Sequence, residues 1–408
     1  MNKRVVITGI GVVSPIGIGY QEFWMNLVSG NSGIAPMECL DLSKYESKKG
    51  AEVKGLKPEE YIGRKGLKYL NKGTKFLASS IKLALDDSGL NIDDELSNQT
   101  GTLIGSSLGN FSQTTDYFHD IVRENPTELS PMLSYDVALN SSINYSSVFF
   151  RIKGFARTIS SGFTSGTDAI GNAYKLIKSG KAKVIIAGGI EQISLDLYII
   201  FYMRKLLAKA NGSGSETSIP FDKRRNGFIM GEGSYVFILE DLDYALSRES
   251  KIYCEISGYG SLFAGNKKYD VEKRVEKAKR AMQMCLDDAK ISSDDIDLIN
   301  ANGNSSKLQD LVEEKAIKEL FGERGEEIPI CAIKSILGEC YGASGAMQTA
   351  ASVLSIDNDL IPPTINVEKA PECNLNIINE KLEKDVSSVL INSFDYSGNN
   401  SCLAVMKI

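Results

Sequence analysis

The sequence contains a single histidine, His119, among 408 residues. A reaction that needs two imidazole side chains from this chain is therefore excluded. A lone histidine is more often structural than catalytic. We therefore expect His119 to lie on a helix surface, or in the interior with its hydrogen bonds satisfied.

Long apolar runs and paired cysteines are also missing. The longest apolar stretches, Val184–Ala187 and Leu195–Phe201, are far shorter than the roughly 20 residues that cross a bilayer. The seven cysteines are scattered, without a C-x-x-C pair, and no secretory segment is recognisable. This pattern predicts a cytoplasmic protein with reduced thiols and no structural zinc or other metal site. A net charge of -6 gives no general reason to bind nucleic acid or an anionic membrane.

The composition is that of a folded protein, with 42% hydrophobic residues to form a core. Thr102–Ser106 and Lys183–Gly189 have the pattern of short buried strands, and Lys75–Ser88 has helical apolar spacing. This alternation predicts the α/β class. Arg4–Ser14 predicts a buried parallel strand that ends in a glycine turn. Pro15 interrupts the helix that a dinucleotide-binding fingerprint requires, which favours a structural role.

The most informative stretch is Thr158–Gly171, in which small residues crowd a turn and an amphipathic helix begins near Thr164. A buried strand, Lys183–Gly189, follows. A turn, helix and strand in this order aim one side chain, here Phe163, over the amino terminus of a helix.

A shorter version of the same organisation follows downstream. It consists of a strand and turn at Asp297–Gly303, a small-residue turn and helix at Gly338–Leu354, and a strand at Val389–Phe394. We therefore expect two related halves, residues 1–245 and 246–408, in one compact body.

Five blocks, in this order, resemble the β-ketoacyl synthases of fatty-acid and polyketide assembly, which belong to the thiolase-like superfamily. The blocks are Arg4–Gly17, Ile186–Glu191, Pro220–Gly233, Lys334–Ser335 and Asn392–Phe394. The resemblance covers nearly the whole chain. It implies a layered αβαβα sandwich of two similar halves and a dimeric assembly.

The departures from the family pattern concern the catalytic positions. The resemblance places the family's nucleophilic cysteine at Phe163 and its two histidines at Asn302 and Glu339. A phenyl ring cannot carry an acyl group, and neither replacement is an imidazole. Lys334 is retained, either as a catalytic residue or in a buried ion pair, for example with Glu339. We expect no catalytic residues and no catalysis by the chain alone: the fold is kept and the reaction is lost.

Within the superfamily the pattern is similar to the chain-length factor of type II polyketide synthases. The resemblance implies an active ketosynthase partner, in a heterodimer, whose acyl tunnel this chain shapes. Phe111, Thr115 and Phe118 would share one helix face toward the tunnel, with Met132 as a weaker candidate. The same aromatic spacing is also typical of ordinary core. No bound cofactor is expected, because the substrates are carried on the phosphopantetheine of an acyl carrier protein. The carrier protein is expected to contact mainly the active partner.

Two further segments have open interpretations. The resemblance places Tyr396 at the family's gating phenylalanine and Asp395 at a glycine, which gives the loop less freedom to move. The cluster Lys223–Arg225 either contacts the acidic carrier protein or its phosphate, or forms a solvated corner held by Asp222 and Glu232.

Two other functions compete with the silent subunit. An independent acyltransferase would need an unconventional nucleophile: Ser160, Ser161, Thr164 or Cys340. A scaffold protein would bind carrier proteins or products without shaping chain length.

Overall fold

The computed structural model describes residues 3–123, 131–210, 216–265, 270–368 and 374–408. The strands are β1 (Val5–Ser14), β2 (Gly17–Ile18), β3 (Ile34–Pro36), β4 (Lys49–Ala51), β5 (Thr100–Gly105), β6 (Ala156–Ile159), β7 (Val184–Glu191), β8 (Met230–Gly231), β9 (Gly233–Asp241), β10 (Cys254–Phe263), β11 (Leu298–Asn300), β12 (Ile330–Cys331), β13 (Leu360–Ile361), β14 (Leu382–Glu383), β15 (Ser388–Phe394) and β16 (Asn399–Met406).

The α-helices are α1 (Tyr20–Val28), α2 (Pro58–Ile62), α3 (Lys72–Ser88), α4 (Asp94–Gln99), α5 (Phe111–Arg123), α6 (Ser141–Phe149), α7 (Ser165–Lys178), α8 (Leu195–Met203), α9 (Leu242–Ser247), α10 (Val271–Ala289), α11 (Lys307–Phe321), α12 (Lys334–Leu337) and α13 (Ser344–Asn358). Short 3₁₀ segments occur at Leu67–Tyr69, Pro131–Asp136, Ser293–Asp295, Gly322–Glu326 and Tyr341–Ala343.

Eleven strands of the described residues form one sheet, in the order β12-β11-β15-β16-β10-β1-β9-β7-β5-β6, with β2 paired to β1. On each side of the β1–β10 pair, the next two strand pairs are antiparallel and the two after them are parallel. The half-sheets meet where β1 pairs with β10. The strand pattern is thus the same on both sides, while the division of the chain at residue 245 stays a prediction.

Helices separate and cover the two half-sheets. α3 and α6 pack on the outer face of the first half-sheet, and α10 and α11 lie on the outer side of the second. α7 and α13 pack against each other between them. Every residue of α13 from Ser344 to Ile356 is buried, as expected for a helix that is apolar or small on all sides. The observed layering is α, β, α, β, α.

The first strand differs from its prediction in two respects. β1 continues through Gly9 and Gly11 to Ser14, and it pairs antiparallel with β9 and β10. The glycines are needed for helix packing, because a Cβ on Gly9 would lie 2.4 Å from the Ala84 carbonyl oxygen and one on Gly11 1.8 Å from that of Ser80. The predicted glycine turn is therefore wrong: these glycines let α3 approach the strand closely.

Across the ranges described above, no helix is long and apolar enough to cross a membrane. The same ranges contain no group of three or more His, Cys, Asp or Glu side chains placed to hold a metal ion. His119 lies exposed on α5, in agreement with its surface interpretation.

Candidate functional site

A tight turn presents Phe163 at the amino-terminal end of α7. Gly162 has φ +73, a left-handed conformation that glycine adopts at little cost. The hydroxyl of Ser165 donates to the Gly162 carbonyl at 2.5 Å, and the Ser161 N–H donates to Ser165 Oγ at 3.0 Å. The Phe163 side chain is 2% exposed. Residue 163 thus points from the start of a helix into the protein.

Aromatic rings fill the space in front of Phe163. Its ring centroid lies 5.4 Å from those of Tyr341 and Tyr396 and 5.9 Å from those of Phe201 and Phe228. Phe201 and Tyr341 are themselves stacked at 4.9 Å. Such ring pairs contribute about 0.5–1.5 kcal/mol each beyond their buried area. We call these five residues the aromatic cluster.

Three members of the aromatic cluster, Phe201, Phe228 and Tyr341, were not predicted as site residues. They come from the end of α8, the segment before β8 and the turn before α13, which are distant in the sequence. Tyr341 has φ +46, a conformation that costs a non-glycine residue of order 1 kcal/mol or more. In this conformation, two residues after Glu339, the Tyr341 ring lies against Phe163. The periodicity of the sequence does not indicate such a backbone conformation.

Tyr396 closes the outer side of the aromatic cluster. Its hydroxyl accepts a hydrogen bond from Arg204 Nη1 at 2.5 Å, and the guanidinium also lies 5.0 Å from the Tyr396 ring centroid. The predicted gating residue is therefore held over Phe163 by an arginine at the end of α8.

The three remaining predicted positions, Asn302, Lys334 and Glu339, come together in one buried network. Lys334 Nζ lies 2.9 Å from both Asn302 Oδ1 and Glu339 Oε2. Glu339 also accepts from Asn304 Nδ2 at 2.8 Å and from the Ser344 hydroxyl. Lys334 thus forms the predicted ion pair with Glu339. Its charge is compensated by the Glu339 carboxylate and by the amide oxygen of Asn302.

Two buried acids on α11 hold the backbone of this region. Glu313 accepts hydrogen bonds from the N–H groups of Asn302 and Gly303, at 2.8 and 2.9 Å. Burial raises the pKa of Glu313 to about 7. Burial likewise raises the pKa of Asp310 to about 6, and Arg225 lies 3.5 Å away. These acids fix the loop after β11 rather than face an open site.

The tunnel candidates lie on a helix without buried residues. α5 spans Phe111–Arg123, so Phe111, Thr115 and Phe118 follow one another along the same helix. Phe118 is 57% exposed, Phe111 is exposed and Thr115 is half-buried. The alternative that this aromatic spacing marks ordinary core is therefore wrong. Met132 is also exposed, at the edge of an apolar cleft of about 550 Å³ that includes Tyr69, Tyr145 and Val148.

The ion pairs of the basic segment Lys223–Arg225 agree in part with the predicted ones. Arg224 pairs with Asp222 at 2.7 Å and with Glu368 at 2.9 Å, which supports the interpretation as a corner. Glu232 does not take part, contrary to the prediction. It is fully buried and pairs with Lys72 at 2.6 Å instead, because it faces the start of α3.

The unconventional nucleophiles are poorly placed for acyl transfer. Cys340 is completely buried, and burial raises the pKa of its thiol well above the usual value, which disfavours the reactive thiolate. The hydroxyls of Ser161 and Thr164 both donate to the carboxylate of Asp168. The Ser160 hydroxyl donates to the Ser107 carbonyl at 2.9 Å. Each hydroxyl proton is thus engaged by an acceptor in the structure.

Comparison with known proteins shows which family the chain resembles. The family model for the β-ketoacyl synthase N-terminal domain matches residues 2–245, and that for the C-terminal domain matches residues 253–368. The chain is 33% identical to 3-oxoacyl-[acyl-carrier-protein] synthase 2 of Coxiella burnetii over 409 residues, covering 100% of this chain and 99% of that protein. The enzyme of the same name from Synechocystis is 33% identical, with 99% and 98% covered.

Solved structures of similar fold include ketosynthases from polyketide assembly. The ishigamide ketosynthase/chain length factor matches with a TM-score of 0.91 and 27% identity, with both chains covered completely. AntDE:AntF, described as a type II PKS acyl-carrier protein in complex with its ketosynthase bound to the hexaketide, matches with a TM-score of 0.89, 27% identity and 100% of each chain. The layered thiolase-like α/β fold that the resemblance implied is confirmed.

Proposed function

This chain belongs to the β-ketoacyl synthase family, and from that premise we propose that it is a catalytically silent member of it. In this proposal the chain is a chain-length factor that pairs with an active ketosynthase. The pair carries out type II polyketide chain elongation, and this subunit shapes the acyl tunnel.

The observation that carries the proposal concerns the tight turn that presents Phe163, which we call the elbow. The space in front of the elbow is filled with aromatic rings. Phe163 stands where the family's nucleophile would stand, and four further rings surround it. A benzyl side chain offers no lone pair to attack a thioester. The rings also leave the elbow packed rather than open, since Phe163 and Tyr341 are both almost completely buried. Neither a nucleophile nor space for an acyl group is available.

The network behind the elbow supports the same conclusion. In the family, two imidazoles assist decarboxylation and hold the thioester oxygen, which needs hydrogen-bond donors. An ionised glutamate at position 339 only accepts hydrogen bonds. Its carboxylate is already bound to Lys334, Asn304 and Ser344. The carboxylate of Glu339 is therefore occupied by its neighbours, and its contact with Lys334 has the chemistry of a structural ion pair.

An exposed apolar face supports pairing with another subunit. On α5, Phe118 is 57% exposed and Val122 is 84% exposed. α8 packs against α5 and exposes Leu195, Ile199, Ile200 and Met203. We call the exposed apolar residues of these two helices the apolar face. Exposed apolar side chains on two helices in contact favour a protein interface, and an active ketosynthase of the same fold is the partner that we propose.

The carrier protein belongs to the proposed assembly as well. The solved relative AntDE:AntF is a complex of a ketosynthase with an acyl-carrier protein. We propose that the substrates stay on the carrier's phosphopantetheine, that the carrier docks mainly on the active partner, and that this chain needs no bound cofactor. The assembly is proposed to be cytoplasmic.

Native mass spectrometry of the tagged chain from its own host tests the proposal. The expected result is a 1:1 complex with a second ketosynthase-like chain that has the cysteine and both histidines. Recovery of a homodimer alone that carries an acyl adduct would overturn it.

Reconstitution tests whether the active partner needs this chain and whether this chain stays unacylated. The active partner should form product only with this chain present, and hexanoyl-CoA should leave no adduct on this chain. If the partner makes the same product, at the same rate and length, without this chain, the proposed role is wrong.

A further inference from the structure

Asp395 lies against the turn that presents Phe163. The loop between β15 and β16 is closed by a hydrogen bond from the Asp395 N–H to the Asn399 carbonyl at 2.8 Å. The Asp395 side chain turns inward and is 3% exposed. A Cβ added to Gly162 would lie 3.0 Å from both the carboxyl carbon and Oδ2 of Asp395. The carboxylate thus contacts the elbow directly.

The carboxylate is bound from its own loop and from the elbow. Ser397 donates its N–H to Oδ2 at 3.0 Å and also donates its hydroxyl. The backbone N–H groups of Phe163 and Tyr396 face the carboxylate and stabilise its charge. Neither reaches Oδ1 with full hydrogen-bond geometry, and Oδ1 has no partner among the described residues. The N–H groups that face the carboxylate thus come from two segments, the turn at residue 163 and the loop at residue 396.

Two convergent backbone N–H groups beside an attacking atom have a defined chemical use. They stabilise the negative charge that appears on a carbonyl oxygen when a nucleophile adds to it. Here one of the N–H groups belongs to residue 163 itself and the other to residue 396. An anion already held between them would repel a developing oxyanion and compete for both donors.

We propose that Asp395 is a second block on acylation, independent of the ring of Phe163. Its carboxylate occupies the space between the N–H groups of residues 163 and 396 in which the oxygen of an acyl thioester would have to lie. This inference rests on the proposed loss of the reaction and adds a cause to it. It implies that a nucleophile placed at position 163 is not sufficient for acylation.

The test places a cysteine at position 163 in two proteins, one that keeps Asp395 and one that lacks it. Phe163→Cys is compared with the double variant Phe163→Cys/Asp395→Gly, which removes both the charge and the side chain that fills the space between the two N–H groups. In the step measured, the thiolate introduced at position 163 attacks the carbonyl carbon of hexanoyl-CoA. A carbon–sulfur bond forms to the protein and the one to coenzyme A breaks. The introduced thiol loses its proton to solvent, and the released CoA thiolate takes one up.

The readout is the acylation rate divided by the alkylation rate with iodoacetamide. Alkylation reports how accessible and how ionised the introduced thiol is, without an oxyanion. Because one oxyanion donor is worth about 10²–10³ in rate, we expect the ratio to rise at least tenfold when Asp395 is replaced. Phe163→Cys/Asp359→Gly is the control, since Asp359 is a surface carboxylate paired with Lys407 at 3.0 Å.

Each outcome has one meaning. An equal ratio with and without Asp395 overturns the second block and leaves the silent-subunit proposal intact. Acylation of the unmodified chain overturns the proposed function instead. Thermal unfolding of each variant verifies that the reacting proteins are folded.

A measurement on the natural sequence covers the case in which the variants at position 163 do not fold. With ¹⁵N-labelled phenylalanine and tyrosine, the amide signals of residues 163 and 396 should move together as Asp395 ionises. Burial raises the pKa of Asp395 to about 6, so the shift should be centred there. The Asp395→Asn variant should show no such shift. If both signals stay constant from pH 5 to 8 in the natural chain, the proposed contact is absent.

Discussion

Lys334 Nζ lies 2.9 Å from Glu339 Oε2, and both side chains are excluded from solvent. The same ammonium group lies 2.9 Å from Asn302 Oδ1. The two positions at which the resemblance places the family's histidines are thus joined through Lys334. The three side chains form a buried network around one ion pair, and the contribution of this pair to stability can be measured.

Removal of one member of this pair should destabilise the fold strongly. Glu339→Ala leaves Lys334 charged and buried without its carboxylate, and we expect a loss of about 3–5 kcal/mol in the free energy of unfolding. The double variant Lys334→Met/Glu339→Met removes both charges and should lose much less. Urea denaturation measures both values. Equal losses in the two variants would mean that the pair is not electrostatically coupled.

The aromatic cluster should contribute to stability because it fills the elbow. Phe163→Ala deletes a buried ring in contact with four others, and we expect a loss of about 3–5 kcal/mol. Phe263→Ala is the matched control: Phe263 is 61% exposed, and its loss should stay within about 0.5 kcal/mol. A small effect at position 163 would show that the cavity collapses or that the ring is loosely packed.

Asp395 should make stability depend on pH in a defined direction. Burial, and to a lesser degree the charge of Glu339, raises its pKa to about 6 in the folded chain, whereas the charge of Arg274 opposes this shift. A raised carboxyl pKa means that ionisation disfavours the fold, so stability is lost as the pH rises from about 4 to 6. Asp395→Asn should therefore be more stable than the natural chain by about 2–3 kcal/mol above pH 6.

The difference between these two proteins should disappear below about pH 4, where Asp395 is protonated in both states. Chemical denaturation at pH 4, 5, 6 and 7.5 gives the profile. Because buried acids that do not interact with Asp395 titrate equally in both proteins, the difference reports Asp395 together with its interaction with Glu339. A constant difference across this range would contradict the shift.

The exposed positions on α5 should control product length in the reconstituted pair. Replacing Phe118 or Phe111 with alanine enlarges the proposed tunnel, and we expect longer products at an unchanged yield of the complex. Mass spectrometry of the released products measures the length. Phe263→Ala, away from α5, should leave it unchanged. Unaltered products from all three variants would favour the scaffold alternative.

The sequence predicted much of this site because the informative residues lie in local motifs. Phe163 stands in a register fixed by Gly166-Thr167 and by 169–171, and Glu339 follows Lys334 by five residues. The α/β class followed from the alternation of predicted helices and strands, and the layered arrangement was implied by the family resemblance that these motifs carry. Both depend on short motifs, which a single sequence contains.

The other features depend on tertiary contacts that spacing does not encode. Phe201 and Phe228 are apolar residues of ordinary type, and only the fold brings them to Phe163. The Asp395 substitution indicated a stiffer loop, but not a carboxylate turned against the elbow. Helical spacing identified an apolar stripe on α5 and could not decide whether it faces the core or solvent.

The apolar face of α5 and α8 also has a consequence for the life of the chain in the cell. A newly made copy without the partner that we propose presents Phe118 and Val122 to water, and such surface makes a chain prone to aggregate and dependent on chaperones. Unpaired copies should therefore be removed by proteolysis, so that the supply of the partner sets the amount of this chain. Pulse-chase measurement should find a longer half-life when the partner is co-expressed, and an equal half-life would contradict this dependence.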